Sequence, residues 1–198
     1  MKILQCDQRS EEWLVARCGI PTASSFDRLI TTKGAQSTQR TKYMYQLAGE
    51  RVAGSAEESF QSAAMLRGIE TELEARKFYE FTTGETVQEI GFCLSDCGRW
   101  GCSPDGLVGE DGLIEIKCPI ISTHVGYLLE NTLPMDYFQQ TQGQLLVTGR
   151  KWCDFVSYYA GLKPLLIRVE RNEQFIKLLE NELIGFCREL ENVITRIS

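Results

Sequence analysis

The order of segments along the chain predicts an α/β fold, with a central mixed, largely antiparallel β-sheet covered by helices on both faces. Three observations lead there. Residues up to Phe81 carry helical patterns, residues 87–118 break into short apolar or alternating runs separated by glycine-bearing turns, and the remainder reads helix, two strands and a closing helix. Helices on either side of a block of strands bury both faces of one sheet.

Each element has its own signal. SEEWLVARCGI reads as a helix ending at Gly19, and TASSFDRLI as the start of a second helix with a small polar residue at its cap. Helical patterning returns over Thr38–Val52 and Glu58–Phe81, the latter stopped by Thr83-Gly84. From Val87, the stretches VQEIGFCLSD, RWGCSPDGLVG and GLIEIKC read as an antiparallel meander. Ser122–Leu146 is helical around Leu128 and again from Asp136, CDFVSYYA and PLLIRVER are strands, and Asn172–Ile197 is a long amphipathic helix. Its apolar positions are Phe175, Leu179, Leu183, Phe186, Leu190 and Val193.

The chain has 198 residues and no repeat, linker or low-complexity segment, so one globular domain spanning residues 1–198 is expected. No stretch approaches the ~18 apolar residues of a membrane span. The start, MKILQCDQRS, does not read as a secretory signal, so a cytoplasmic protein with reduced thiols is expected. Of its 8 cysteines, Cys93, Cys97, Cys102 and Cys118 cluster in sequence. They form no CxxC pair and the single histidine, His124, adds little, so buried structural thiols are expected in preference to a metal or iron–sulfur site. A net charge of -6 excludes a surface coated in positive charge, the usual mark of a nonspecific nucleic-acid binder. It leaves room for an acidic metal centre and a local phosphate groove.

The most informative stretch is CSPDGLVGEDGLIEIKCP, Cys102–Pro119. Asp111-Gly112 signals a chain reversal, and a loop centred on residue 110 sets Asp105 opposite Glu115. Strand alternation sends Glu115 and Lys117 to one side and Ile114, Ile116 and Cys118 to the other, into the core. Two carboxylates and the carbonyl of Ile116 form a hard-oxygen set suited to Mg²⁺, with Mn²⁺ able to substitute. Beside them Lys117 can orient or help deprotonate an attacking water. A bare D…ExK match is common by chance. The Ser-Pro-Asp-Gly setting, the hairpin register and the apolar flanks of Glu-Ile-Lys reverse those odds.

CSPDGLVG followed by LIEIKCP resembles the active-site hairpin of the lambda-type phage exonucleases, the YqaJ-like viral recombinase branch of the PD-(D/E)XK nucleases. The resemblance runs from about Trp13 to Gly149. It implies a restriction-endonuclease-like core with Asp105, Glu115 and Lys117 catalytic. In MLRGIETELEARKFYEF it assigns Glu72 to the family's acidic position on the helix before the hairpin. Glu72 lies on the same helical side as Ile69 and Arg76, so it can reach a cleft. Arg17-Cys-Gly-Ile-Pro-Thr-Ala-Ser24 resembles the family's phosphate-gripping motif, which implies DNA contacts from Arg17, Thr22 and Ser24, and similarly from Ser103. Plain N-capping, with Ser24 and Asp27 in a box-like spacing, is compatible with that role. In the segment from Asp136 to Gly149 the resemblance places the active-site glutamine at Gln140, with Gln142 the alternative, against an equal expectation of four glutamines forming mere polar surface. Near Thr123 the family often has a basic residue and this chain has none; His124 is the candidate substitute.

The implied activity is Mg²⁺-dependent 5′-to-3′ digestion of linear double-stranded DNA from its ends, leaving 3′ single-stranded tails for recombination. A ring-shaped homotrimer and a single-strand annealing partner protein are implied with it. The alternatives are a structure-specific or restriction-like endonuclease of the same superfamily and, of a different class, a non-catalytic DNA-binding assembly module.

Overall fold

The computed structural model describes residues 1–56 and 63–198, with side chains outside 63–70. Element order is β1 (Lys2–Leu4), α1 (Glu11–Arg17), α2 (Arg40–Ala53), α3 (Ala63–Thr83), β2 (Val87–Gln88), β3 (Phe92–Leu94), β4 (Gly101–Cys102), β5 (Gly106–Val108), β6 (Gly112–Lys117), α4 (Ile121–Glu130), α5 (Phe138–Thr148), β7 (Trp152–Ser157), β8 (Leu165–Glu170) and α6 (Glu173–Ile197). Short 3-10 turns cover Ala23–Arg28 and Met135–Tyr137. The first part of the segment expected to be helical from Glu58 lies outside the described residues.

The mixed sheet is present as a five-stranded sheet in the order β2-β5-β6-β7-β8. Only its β6–β7 pair is parallel. A parallel pair needs a long crossover, here α4, the second 3-10 turn and α5. The expected single meander is in fact divided, because β3 and β4 leave it to form a second sheet in the order β1-β3-β4. Strand β1, which the sequence reading did not assign, pairs Ile3 with Cys93.

Both faces of the larger sheet are covered. Leu107, Leu113, Cys153, Phe155 and Val169 pack in one core with residues of α2, α5 and α6, among them Leu47, Leu145, Leu179 and Leu183. On the other face Ile114, Ile116 and Val156 pack against Ala75 and Tyr79 of α3, with Cys118 alongside, as strand alternation predicts. The α3 layer is also tied by a polar anchor. Tyr79 donates to the buried Asp154 at 2.7 Å, and Arg168 grips the same carboxylate with two 2.8 Å bonds while lying over the Trp152 ring. Burial and the Asp154 carboxylate together hold the Tyr79 phenol above its usual pKa.

Expectation and structure differ at TASSFDRLI. The Ala23–Arg28 turn has Thr22 at its N-cap with no side-chain cap bond, so the Ser24/Asp27 capping box does not form. Tertiary contacts set that geometry. Phe26 is fully buried and the turn packs against α5, where a Cβ on Gly143 would meet Phe26 Cδ2 at 2.4 Å. Gly143→Ala is therefore expected to cost roughly 1–3 kcal/mol by overpacking, read as a fall in the urea midpoint.

The cysteines do not converge as a group. Cys93 and Cys102 are buried directly opposite each other on β3 and β4, Cys97 is exposed, and Cys118 is half-buried at the end of β6. Among the described residues no helix is long and apolar enough to cross a membrane.

Candidate active site

The hairpin register is the one the turn position predicts. Gly106 pairs with Ile114 and Val108 with Gly112. Asp105, just before β5, donates its amide to the Ile114 carbonyl at 3.1 Å and accepts the Ile116 amide on Oδ2 at 2.6 Å. It therefore stands beside Glu115. Because β6 is the middle strand of a covered sheet, Glu115 is only 2% exposed, not an open strand-surface residue.

A buried carboxylate requires partners, and Glu115 has three. Its Oε1 accepts from Lys117 Nζ at 2.5 Å and Gln140 Nε2 at 2.6 Å, and its Oε2 accepts from Gln144 Nε2 at 2.5 Å. Burial opposes the Lys117 charge, but the Glu115 and Asp105 carboxylates outweigh it and hold the amine above its usual pKa. Asp105 moves upward for a different reason: burial, then repulsion from Glu115, disfavour its ionised form, and Lys117 only partly offsets them. Two neighbouring carboxylates short of positive charge are the electrostatic setting a cation would relieve.

Among the described residues no three His, Cys, Asp or Glu side chains form a metal-holding group. Two carboxylates with a main-chain carbonyl make a sparser set. It is nevertheless the kind that Mg²⁺ uses, since this ion keeps several waters and takes one or two protein carboxylates. The donor chemistry at Asp105, Glu115 and Ile116 fits that ion.

The hairpin opens on a cavity of about 720 Å³ lined by Asp105, Glu72 and the segment Gln5–Arg9. Glu72 reaches it from α3, held by Arg9 at 2.7 Å and Arg76 at 3.1 Å.

A second cluster forms where Thr22 bridges to Gly101 and Gly101 donates to the Pro21 carbonyl at 3.0 Å. These links carry the N-terminal motif to the strand that leads into Ser103. Arg17 then donates to Ser103 at 3.3 Å and to Thr22 and Ser24 at 3.4 Å each. Burial lowers the Arg17 pKa from its usual value. Such long bonds around a partly desolvated guanidinium leave it poorly satisfied, and an anion would complete them.

Of the sequence-derived residues, the structure brings Asp105, Glu115, Lys117, Gln140 and Ile116 together, places Glu72 on the adjoining cavity, and gathers Arg17, Thr22, Ser24 and Ser103 into the second cluster. Gln142 points elsewhere, donating to the Glu170 carbonyl and accepting the Asn172 amide. His124 is a correction: it is fully buried, with Nδ1 on Ser157 Oγ at 2.7 Å and Nε2 on the Lys163 carbonyl at 3.0 Å, so it cannot replace a basic residue at the DNA. The polar-surface expectation for the four glutamines also fails, since Gln139, Gln142 and Gln144 are buried and all four are hydrogen-bonded.

The model of the YqaJ-like viral recombinase domain matches residues 12–151. The chain belongs to this family. An alkaline exonuclease (LHK-Exo) from Laribacter hongkongensis is 40% identical, with 95% of this chain and 96% of that chain covered and a TM-score of 0.87. The same enzyme solved in complex with dAMP matches equally. A phage related exonuclease from Haemophilus somnus 129PT, 15% identical over 90% of this chain and 96% of that chain with a TM-score of 0.72, shares the fold. No curated protein sequence matches. This YqaJ-like chain is thus an alkaline-exonuclease homologue with a PD-(D/E)XK fold.

Two contributors went unseen in the sequence of this family member. Trp13 donates from Nε1 to Ser103 at 2.9 Å and lies 4.1 Å from the Arg17 guanidinium. Gln144 completes the Glu115 shell. Each sits four residues from a recognised partner on its helix, Trp13 from Arg17 and Gln144 from Gln140. Helical i, i+4 spacing was the signal available for finding them.

Proposed function

We propose that this chain is a Mg²⁺-dependent 5′-to-3′ exonuclease of linear double-stranded DNA, releasing nucleotides from the 5′-ended strand and leaving 3′ single-stranded tails for recombination. The observation that carries the reading is the pairing of Asp105 and Glu115 across one hairpin, with Lys117 at 2.5 Å from Glu115 and Asp105 lining the adjoining cavity. The 40% identity to an alkaline exonuclease supports nuclease chemistry; polarity and tail formation rest on the family resemblance.

Asp105, Glu115 and the Ile116 carbonyl would hold the ion, which supplies charge neutralisation at the scissile phosphate and an activated water. Lys117 keeps its proton between the two carboxylates, so its role is to orient the nucleophile and offset charge building on the phosphate. Gln140 holds one Glu115 oxygen through a neutral amide and can pass a hydrogen bond to water or phosphate without competing for metal. Glu72 completes the acidic wall. Arg17, Thr22, Ser24 and Ser103 grip a phosphate, the 5′-terminal one in this reading. A homotrimeric ring around DNA, a single-strand annealing partner and a cytoplasmic location complete the proposal, and residues 1–198 act as one domain in it.

The test is digestion of end-labelled linear duplex with Mg²⁺, with and without a 5′-phosphate, beside closed circular duplex. Release of label from the 5′ end, faster with the phosphate and absent on circles, is expected. Cutting of closed circles would favour an endonuclease, and no hydrolysis of any DNA would favour a binding module.

A further inference from the structure

The N-terminal segment sends two consecutive side chains into the cleft. Gln8 Nε2 donates to the carbonyls of Ile90 at 3.0 Å and Pro104 at 2.9 Å, which ties the segment to the residue preceding Asp105. Arg9 Nη2 then meets Glu72 at 2.7 Å. Extended backbone would point neighbouring side chains to opposite sides. Arg9 avoids that by adopting φ +72°, a left-handed conformation that is costly for a non-glycine residue and so is imposed by its surroundings.

The Arg9 contact adds a second cation to a carboxylate that already has one. Arg76 bonds Glu72 from the next helical turn at 3.1 Å and reaches Glu89 at 2.6 Å, giving an alternating chain Arg9–Glu72–Arg76–Glu89. Arg76 is buried, whereas the Arg9 side chain at the cavity end of this chain is 44% exposed. Glu72, Arg9 and Asp105 line the same cavity. With Arg9 in place the acidic wall beside Asp105 is neutralised; without it, Glu72 retains only the shared Arg76.

We propose that Arg9 is a positioning residue that competes electrostatically with the divalent ion: by occupying Glu72 it weakens ion binding at the Asp105–Glu115 centre. This rests on the metal-centre reading above. The test is calorimetric titration of the full-length protein with Mn²⁺ in the absence of DNA, for the parent, Arg9→Ala, Glu72→Gln, the Arg9→Ala/Glu72→Gln double variant and Asp105→Asn. Arg9→Ala is expected to bind Mn²⁺ roughly two- to fivefold more tightly, the size of a partly exposed ion pair, and the gain should vanish in the Glu72→Gln background. Arg9→Gly, which suits the left-handed backbone, should show the same gain. A residue with a merely structural role would loosen the ion when removed. Unchanged or weaker binding by both Arg9 variants, or a gain that persists without Glu72, would overturn the proposal while leaving the ion centre standing. Parent-like binding by Asp105→Asn would instead sink the ion centre, and Arg9's role with it.

Discussion

Asp105→Asn is expected to reduce hydrolysis of linear duplex by roughly 10³-fold or more, because in the proposed centre it removes a charge that would face the metal and that neutral groups do not replace. The same substitution should raise the melting temperature of the metal-free protein toward alkaline pH. Burial and Glu115 hold the Asp105 carboxyl above its usual value in the fold. In the unfolded chain it ionises near ~4. Between those two values the folded state keeps a proton that the unfolded state has released. That contribution to stability is present below the ordinary carboxylate range and is lost as pH rises through the folded value. Asparagine never ionises and keeps an oxygen for the Ile116 amide, so its variant escapes the loss. Thermal melts with a chelator from about pH 4 upward check the sign, and Mg²⁺ should restore stability to the parent only. An identical pH slope in the two proteins, or retained hydrolysis by the variant, contradicts the assignment.

The second large effect is expected at Lys117. Lys117→Ala leaves the buried Glu115 carboxylate with only the two amides of Gln140 and Gln144. Removing one member of a buried pair costs about 3–5 kcal/mol, and the amides should keep this case near the lower end. Single-turnover hydrolysis should fall by roughly 10²- to 10⁴-fold, the range of a positioned acid–base or electrostatic group. Mg²⁺ should recover part of the stability, read from urea denaturation, but not the rate. Arginine is a poor substitute because its planar fork does not fit a compact site between two carboxylates. Undiminished single-turnover hydrolysis by Lys117→Ala would remove Lys117 from the chemistry.

The hairpin was legible from sequence because its geometry is local. A turn at Asp111-Gly112 and a period of two residues suffice to pair position 105 with position 115, and the folded hairpin keeps that register. The closing helix was legible for a similar reason, its apolar stripe fixing the buried face of α6. The cluster around Arg17 was only half legible: the motif Arg17 to Ser24 stood out, but its meeting with Ser103 depends on the bridge between Thr22 and Gly101.

Sequence by itself determined the helix–strand order from Val87 onward, the register of Asp105 against Glu115, and the side of β6 on which Glu115 and Lys117 lie, since these follow from dihedral periodicity and one turn. Tertiary structure alone decided that the strands divide into two sheets, that the segment after Thr22 winds as a 3-10 turn beneath Gly143, that His124 is sealed in the interior, and that Arg9 reaches Glu72. Each of these joins groups distant along the chain or is set by packing against a remote element. No local pattern encodes which of many compatible neighbours the folded core will place within 3 Å or so, the reach of a hydrogen bond.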